Sequence, residues 1–252
     1  MRFASLGSGS RGNALIVDVG DTRVLLDCGF SVKATVERLG RLGIAAESID
    51  AVLLTHEHSD HLGSAARFAA RFGLPVYLTY GTQQALSDCW PDCRLIDSHQ
   101  TFAIGSLEVQ AFPVPHDARE PVQYVFSDGQ HRLGVLTDCG TVTAHVLSML
   151  DACNALVLEC NHDTRLLAES SYPAMLKRRI SGNFGHLGNG QAAELLTRIE
   201  TSRLQHIVAA HLSEQNNRPE LAVTALATAL GCDAEWIGVA SQASGFDWRQ
   251  LL

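Results

Sequence analysis

The chain has 252 residues, of which 46% are hydrophobic and 18% charged. That is the composition of an ordinary soluble globular protein with material for a full core, and it contains no repeat or low-complexity segment. The formal net charge of -8 argues against coating of nucleic acid through a broad basic surface, although a local positive site would escape that argument.

Residues 1–6, 13–19 and 22–27 read as strands. The turn 7–13 separates the first two, and Gly20-Asp21 is a hairpin signal between the next two. In 31–42, Val32, Val36, Leu39 and Leu42 recur with helical spacing, and Gly43 follows. A buried-type strand covers 51–55. A helix is predicted over 62–72, a strand over 76–79 and a short helix over 82–89. Strands follow at 107–113, 122–127 and 132–137, with Asp128-Gly129 as a hairpin turn. The remaining elements are helix 143–150, strand 155–159, helices 173–180 and 189–200, strand 207–210, helix 219–230 and strand 234–239. This order suits the α/β (α+β) class: a single domain, 1–252, with two packed sheets between outer helices in an αββα sandwich.

The N-terminal segment reads directly as a strand and a turn, with no secretory pattern, and no apolar run is long enough to span a membrane. A cytoplasmic protein is expected. The 7 cysteines are odd in number and lack a CxxC; Cys89 and Cys93 are the closest pair. They are expected to be reduced structural thiols, with Cys28, Cys139 and Cys160 as small apolar fillers.

The chemistry-bearing stretch is Thr55-His56-Glu57-His58-Ser59-Asp60-His61. Three imidazoles and a carboxylate cannot share one face of a regular element, but on a strand-to-helix loop they can converge. These are the ligand types of zinc and its first-row neighbours. His56 and His58 are two apart and point the same way on an extended segment, so they can grip one ion. Asp60 and His61 come after the turn and can grip a second. Such a pair, roughly 3.5–4 Å apart, suits in-line displacement at phosphorus. The shells need further ligands, and other strand ends offer them in Pro115-His116-Asp117, Leu136-Thr137-Asp138-Cys139-Gly140 and Ala210-His211-Leu212-Ser213.

The motifs His56-x-His58-x-Asp60-His61, His116, Asp138 and His211 resemble the metallo-β-lactamase superfamily. The resemblance covers essentially the whole chain. It implies that His56, His58 and His116 hold one ion, that Asp60, His61 and His211 hold the other, and that Asp138 bridges them. The two divalent ions would be Zn2+ or Mn2+. Gly7-Ser8-Gly9-Ser10-x-Gly12-Asn13, Pro115-His116-Asp117-Ala118, Glu159-x-Asn161-His162-Asp163 and Gly185-His186-Leu187 look like the YycJ (WalJ) branch. That branch implies a DNA exonuclease acting from the 5′ end. Gln123 and Gly188 depart from its pattern.

Asp60 is a candidate to orient the nucleophile. His162 and His186, on loops, are candidates to protonate the leaving oxygen. Ser8, Ser10, Asn13 and Asn161 are candidate substrate contacts. The turn 7–13 reads either as a phosphate nest or as a plain turn using glycine. Lys177-Arg178-Arg179 reads either as a solvated face or as a grip on a nucleic-acid backbone. The rival functions are hydrolysis of a small phosphodiester, thioester or lactam, and a non-catalytic metal-bound module.

Overall fold

The structure is a computed structural model and describes residues 1–86, 90 and 92–252. The first half contains β1 (Arg2–Gly7), β2 (Ala14–Val19), β3 (Thr22–Leu26), α1 (Val32–Arg41), β4 (Ala51–Leu53), α2 (Ser59–Leu62) and α3 (Ala65–Phe72). Next come β5 (Val76–Thr79), α4 (Tyr80–Ala85), β6 (Cys93–Ile96), β7 (Thr101–Ile104), β8 (Leu107–Pro113), β9 (Val122–Ser127) and β10 (Arg132–Leu136). The chain continues through α5 (Ala144–Leu150), β11 (Ala155–Glu159), α6 (Thr164–Glu169), α7 (Ala174–Ile180) and α8 (Asn189–Leu196). It closes with β12 (His206–Ala210), α9 (Pro219–Leu230), β13 (Ile237–Val239) and β14 (Phe246–Gln250).

The described residues form two seven-stranded sheets, ordered β14-β1-β2-β3-β4-β5-β6 and β13-β12-β11-β10-β9-β8-β7. Strand alternation divides their side chains among three cores. Leu15, Val17, Val24, Leu26 and Leu53 of the first sheet meet Val109, Tyr124, Val135, Val157 and Val208 of the second. Ile16, Leu25 and Val52 face outward against Leu39 of α1 and Phe68 of α3. Leu156, Leu158, Ile207 and Ala209 face outward against Val146 of α5, Leu195 of α8 and Leu226 of α9. Apolar residues on both faces of each strand therefore produce the αββα sandwich.

Strands β3 and β4 run parallel, as do β10, β11 and β12. Two antiparallel steps, β8 to β9 and β9 to β10, bring β8 into the same direction as β10. The carboxyl ends of these strands gather at one edge of the sandwich, where loops have room to carry polar groups.

Several expected elements differ in detail. The helix predicted over 62–72 is broken at Gly63-Ser64 into α2 and α3. Gly63 has φ 39°, and a side chain there would collide with the Cys28 carbonyl and Gly29. That close approach pins α2 against the end of β3. The helix predicted over 82–89 is α4, which starts two residues earlier and ends at Ala85; the expected end at Ser87–Cys89 lies outside the described residues, as does Cys89 of the closest cysteine pair. The helix predicted over 189–200 stops at Leu196. Strands β6, β7 and β14 were not anticipated, because each lies at a sheet edge and exposes part of its length. Among the described residues no helix is long and apolar enough to cross a membrane.

Candidate metal centre

The loop after β4 delivers His56 and His58, and the short helix α2 delivers Asp60 and His61. The loops after β8, β10 and β12 deliver His116, Asp138 and His211. His56, His58 and His116 form one group whose ligand atoms lie within 4.8 Å of one another; Asp60, His61 and His211 form a second. Asp138 lies between the two, with Oδ1 3.9 Å from His116 Nε2 and 3.5 Å from His211 Nε2, and Oδ2 2.9 Å from His61 Nε2.

The spacing of these donors fits divalent ions. Metal–ligand bonds of about 2.0–2.1 Å give a tetrahedron with edges of about 3.3–3.4 Å. His58 Nδ1 and His116 Nε2 are 3.2 Å apart, His211 Nε2 and Asp60 Oδ2 are 3.4 Å apart, and His61 Nε2 and Asp60 Oδ2 are 3.5 Å apart.

The tautomers point the same way. His116 Nδ1 lies 3.0 Å from the Gly185 carbonyl, which can only accept. Nδ1 therefore carries the proton, and Nε2 offers a bare lone pair to the centre. His61 Nδ1 lies 2.7 Å from Asp27 Oδ2, with the same consequence. Thr55 Oγ1 donates to Asp27 and accepts from His56 Nδ1 at 3.0 Å. That leaves His56 Nε2 buried with no hydrogen-bond partner. Asp138 Oδ2 is likewise unsatisfied: its 2.9 Å contact with His61 Nε2 lacks hydrogen-bond geometry. Lone pairs turned toward one another in a buried site are costly unless a cation lies among them.

The protonation equilibria reflect this crowding. Burial, then neighbouring His61, pushes the His56 pKa well down. Burial also opposes charge on His61, but Asp138 and Asp27 outweigh it and hold its pKa well up. Burial alone would raise the pKa of Asp138, yet His211 and His61 hold it well below the usual carboxylate range.

An outer ring fixes these ligands. Asp27 accepts the Thr55 N–H at 2.9 Å, the Thr55 hydroxyl and the His61 ring. Glu159, at the end of β11, accepts the N–H groups of Cys139 and Leu187 at 2.9 and 3.0 Å, and the His186 ring at 2.8 Å. Gln123 brackets Thr137, beside Asp138, through both its amide atoms. Asp27, Asp138 and His211 each have positive φ, of 58°, 50° and 53°. Backbone strain thus collects at the strand ends that present the site.

The sequence did not single out Asp27, Thr55 or the role of Glu159. One signal was available: Asp27-Cys28-Gly29 and Asp138-Cys139-Gly140 repeat one pattern at two strand ends.

The donors open into a cavity of about 210 Å³ lined by Ser10, His58, Asp60, Asp117, Asp138, His186 and His211, with Leu176, Arg179, Ile180 and Gly185 on one wall. His186 reaches this cavity with its Nδ1 tied to Glu159, which frees Nε2 for a ligand. Burial lowers the His186 pKa, but Glu159 and Asp138 outweigh it and push it up to about 10. His162 is 2% exposed, does not line the cavity, and packs its ring against Gly188.

The candidate substrate contacts divide. Ser10 lines the cavity. Ser8 accepts the His211 N–H at 2.9 Å and donates to Asn13, which also accepts from Gly9 N. Asn161 donates to the His211 carbonyl at 3.1 Å. Within the turn 7–13, the N–H groups of Ser8, Gly9, Arg11, Gly12 and Asn13 all bond to protein oxygens. Those N–H groups are spent on the turn and its supports rather than left for a phosphate.

The beta-lactamase superfamily domain matches residues 22–207 of this chain. The chain belongs to the metallo-β-lactamase superfamily. It is a metal-dependent hydrolase of the YycJ/WalJ branch. It is 36% identical over 230 residues to "Exodeoxyribonuclease YycJ" of Bacillus anthracis, covering 88% of this chain and 86% of that protein. It is 33% identical over 229 residues to "Exodeoxyribonuclease WalJ" of Streptococcus pneumoniae, covering 88% and 85%. Its fold is shared with the metallo-β-lactamase fold protein YhfI from Bacillus subtilis, at TM-score 0.75 and 16% identity over 99% of both chains. In this metallo-β-lactamase hydrolase the His/Asp clusters fit metal binding by the spacing and tautomers of their donors.

Proposed function

We propose that residues 1–252 form one hydrolase domain that acts as a dinuclear metal-dependent phosphodiesterase, a 5′-to-3′ DNA exonuclease. The observation that carries the reading is two donor groups at the floor of one cavity with Asp138 between them. The similarity to exodeoxyribonucleases over 88% of the chain supports DNA as the substrate. His56, His58 and His116 would hold one ion and Asp60, His61 and His211 the other, with Asp138, between the two groups, available to both. Two divalent ions, Zn2+ or Mn2+, supply Lewis acidity and a nucleophile from water at neutral pH.

The protein's own groups do the rest. Asp60, facing the cavity from the second donor group, orients the attacking oxygen. His186 Nε2 protonates the leaving oxygen, while its Nδ1 remains on Glu159. His162 is a positioning residue: its carbonyl accepts the Asn189 N–H at 2.9 Å, and its ring supports Gly188 in the same loop as His186. Ser10 contacts the substrate, and Ser8, Asn13 and Asn161 position His211 and Asp60. Buried thiols at Cys28, Cys139, Cys153 and Cys160 fit work in the cytoplasm.

The test is a turnover screen of metal-loaded protein on 5′- and 3′-labelled DNA, RNA and a small phosphodiester reporter. Stepwise loss of mononucleotides from the 5′ end of DNA is expected. Turnover of the small diester alone, with every nucleic acid left intact, would overturn the substrate assignment and favour a small-phosphodiester hydrolase.

A further inference from the structure

No residue of α7 is buried, yet Leu176, Arg179 and Ile180, at i, i+3 and i+4, wall the cavity. Among the described residues that line the cavity, Arg179 is the one lysine or arginine. Its guanidinium does not trail into solvent. Nε donates to Asp117 Oδ2 at 2.6 Å, and Asp117 itself lines the cavity.

The donor groups set the place of this head group. Asp117 follows the ligand His116, and its N–H donates to the Phe184 carbonyl at 3.0 Å. His116 Nδ1 holds the Gly185 carbonyl at 3.0 Å, and the His186 N–H donates to the Ile180 carbonyl at 2.8 Å. The C-terminal end of α7 is thereby fastened both to the first donor group and to His186.

Stability does not call for the Asp117–Arg179 pair. The two side chains are 31% and 63% exposed, and so exposed an ion pair contributes little. It is also made through Nε alone. A guanidinium carries five N–H groups in a planar fork. Among the described residues the two terminal nitrogens of Arg179 have no hydrogen-bond partner. That edge of the fork can take two oxygens of a phosphate. Depth indicates which phosphate. On the floor, the side chains of Asp138 and His211 are 3% and 2% exposed, whereas Arg179 stands at the rim. A phosphodiester reacting over the donor groups lies below that rim, so the anion at Arg179 belongs to a neighbouring link of the strand.

We propose that Arg179 clamps the phosphate next to the one being cleaved, with Asp117 positioning its guanidinium, a role that rests on the DNA reading above. The clamp favours a polymer over an isolated diester, because only a strand offers a second phosphate at a fixed separation. A phosphate contact reads no sequence.

The experiment follows the first cleavage of 5′-phosphorylated duplex DNA by metal-loaded native enzyme, Arg179→Ala and Arg179→Lys. Two modified duplexes carry either a 5′-hydroxyl end or a neutral methylphosphonate at the linkage after the cleaved one. Arg179→Ala should lose about 10- to 100-fold in kcat/KM on unmodified DNA, mostly through KM. Its slope of log kcat/KM against log salt should become shallower by about 0.9, the share of one phosphate contact. Arg179→Lys keeps the charge but not the fork, so it should keep the native slope while recovering only part of the loss. On one of the modified duplexes native enzyme and Arg179→Ala should become equal, and that duplex identifies the side on which the clamp sits. An undiminished deficit of Arg179→Ala on both modified duplexes would overturn the clamp, as would equal kcat/KM on unmodified DNA. Either result leaves the exonuclease reading intact. Native enzyme that leaves every duplex uncut would instead overturn the DNA reading, and the clamp with it.

Discussion

Replacing Asp27 with Asn isolates the outer ring of the metal centre. Asparagine keeps the size of the side chain and tolerates the positive φ of this position, 58°. The change therefore removes charge and one acceptor without new backbone strain. Asp27 now accepts the Thr55 N–H at 2.9 Å and the His61 Nδ1–H at 2.7 Å. An amide has a single acceptor oxygen. If that oxygen stays on the Thr55 N–H, the amide NH2 faces His61 Nδ1. His61 must then move its proton to Nε2, where it blocks the lone pair meant for the ion. If His61 keeps its tautomer, two donors face each other in a buried site, at a cost of about 1–3 kcal/mol. At about 1.4 kcal/mol per tenfold, either outcome weakens the ion at Asp60, His61 and His211 by about 10- to 100-fold. Titration against a chromogenic chelator should show one of two ions released early, while far-ultraviolet circular dichroism remains native. Excess metal should restore much of the turnover. An unchanged chelator titration would refute the argument, as would equal weakening of both ions.

Asp138→Ala should lose metal and activity together in a folded protein, and elemental analysis finding two ions per chain would reject its place between the sites. His186→Ala should retain metal and lose about 10²–10⁴-fold in turnover on DNA. That loss should shrink on a nitrophenyl ester, whose leaving group departs without a proton, and His162→Ala should show no such dependence on leaving group. A 5′-acting exonuclease should leave closed circular DNA intact, so rapid nicking of circles would point to internal cleavage instead. Burial, then Glu159, pushes the Cys139 thiol up to about 12, and a raised pKa favours the neutral thiol. At pH 8 its thiolate fraction is about 10⁻⁴, against about one quarter for a free cysteine. Ellman's reagent should therefore reach it only after unfolding, and rapid labelling of native protein would contradict its burial.

Much of the fold was legible because the central strands are apolar on both faces. Leu25 and Val52 serve the outer core while Val24, Leu26 and Leu53 serve the inner one, and such runs have few other uses. The edge strands were not legible for the opposite reason. Arg94 in β6 and Asp247 and Arg249 in β14 keep an exposed edge polar, which erases the periodicity. At the site, the 56–61 loop stood out because its imidazoles and carboxylate are close in sequence. Asp27 and Glu159 act on ligands far along the chain, His61 and His186. A lone carboxylate at a strand end looks like a cap until the fold brings its partner to it. Both loop histidines were candidates in sequence; the parallel bridge between His162 and Gly188 turns one of them inward.

The candidate metal centre draws His56, His58, Asp60 and His61 from the loop and short helix after β4 of one sheet, and His116, Asp138 and His211 from loops of the other. The interface between the sheets is filled by apolar side chains, which resist separation but are nearly indifferent to small sliding. Directional donors are not indifferent. Ions held at this edge would act like a dowel through two boards, fixing their relative alignment rather than gluing them together. Stripping the ions should therefore leave the sheets together yet let their common edge shear. Faster amide hydrogen exchange in the loops after β4, β10 and β12, with the strand centres still protected, would be the trace of that motion.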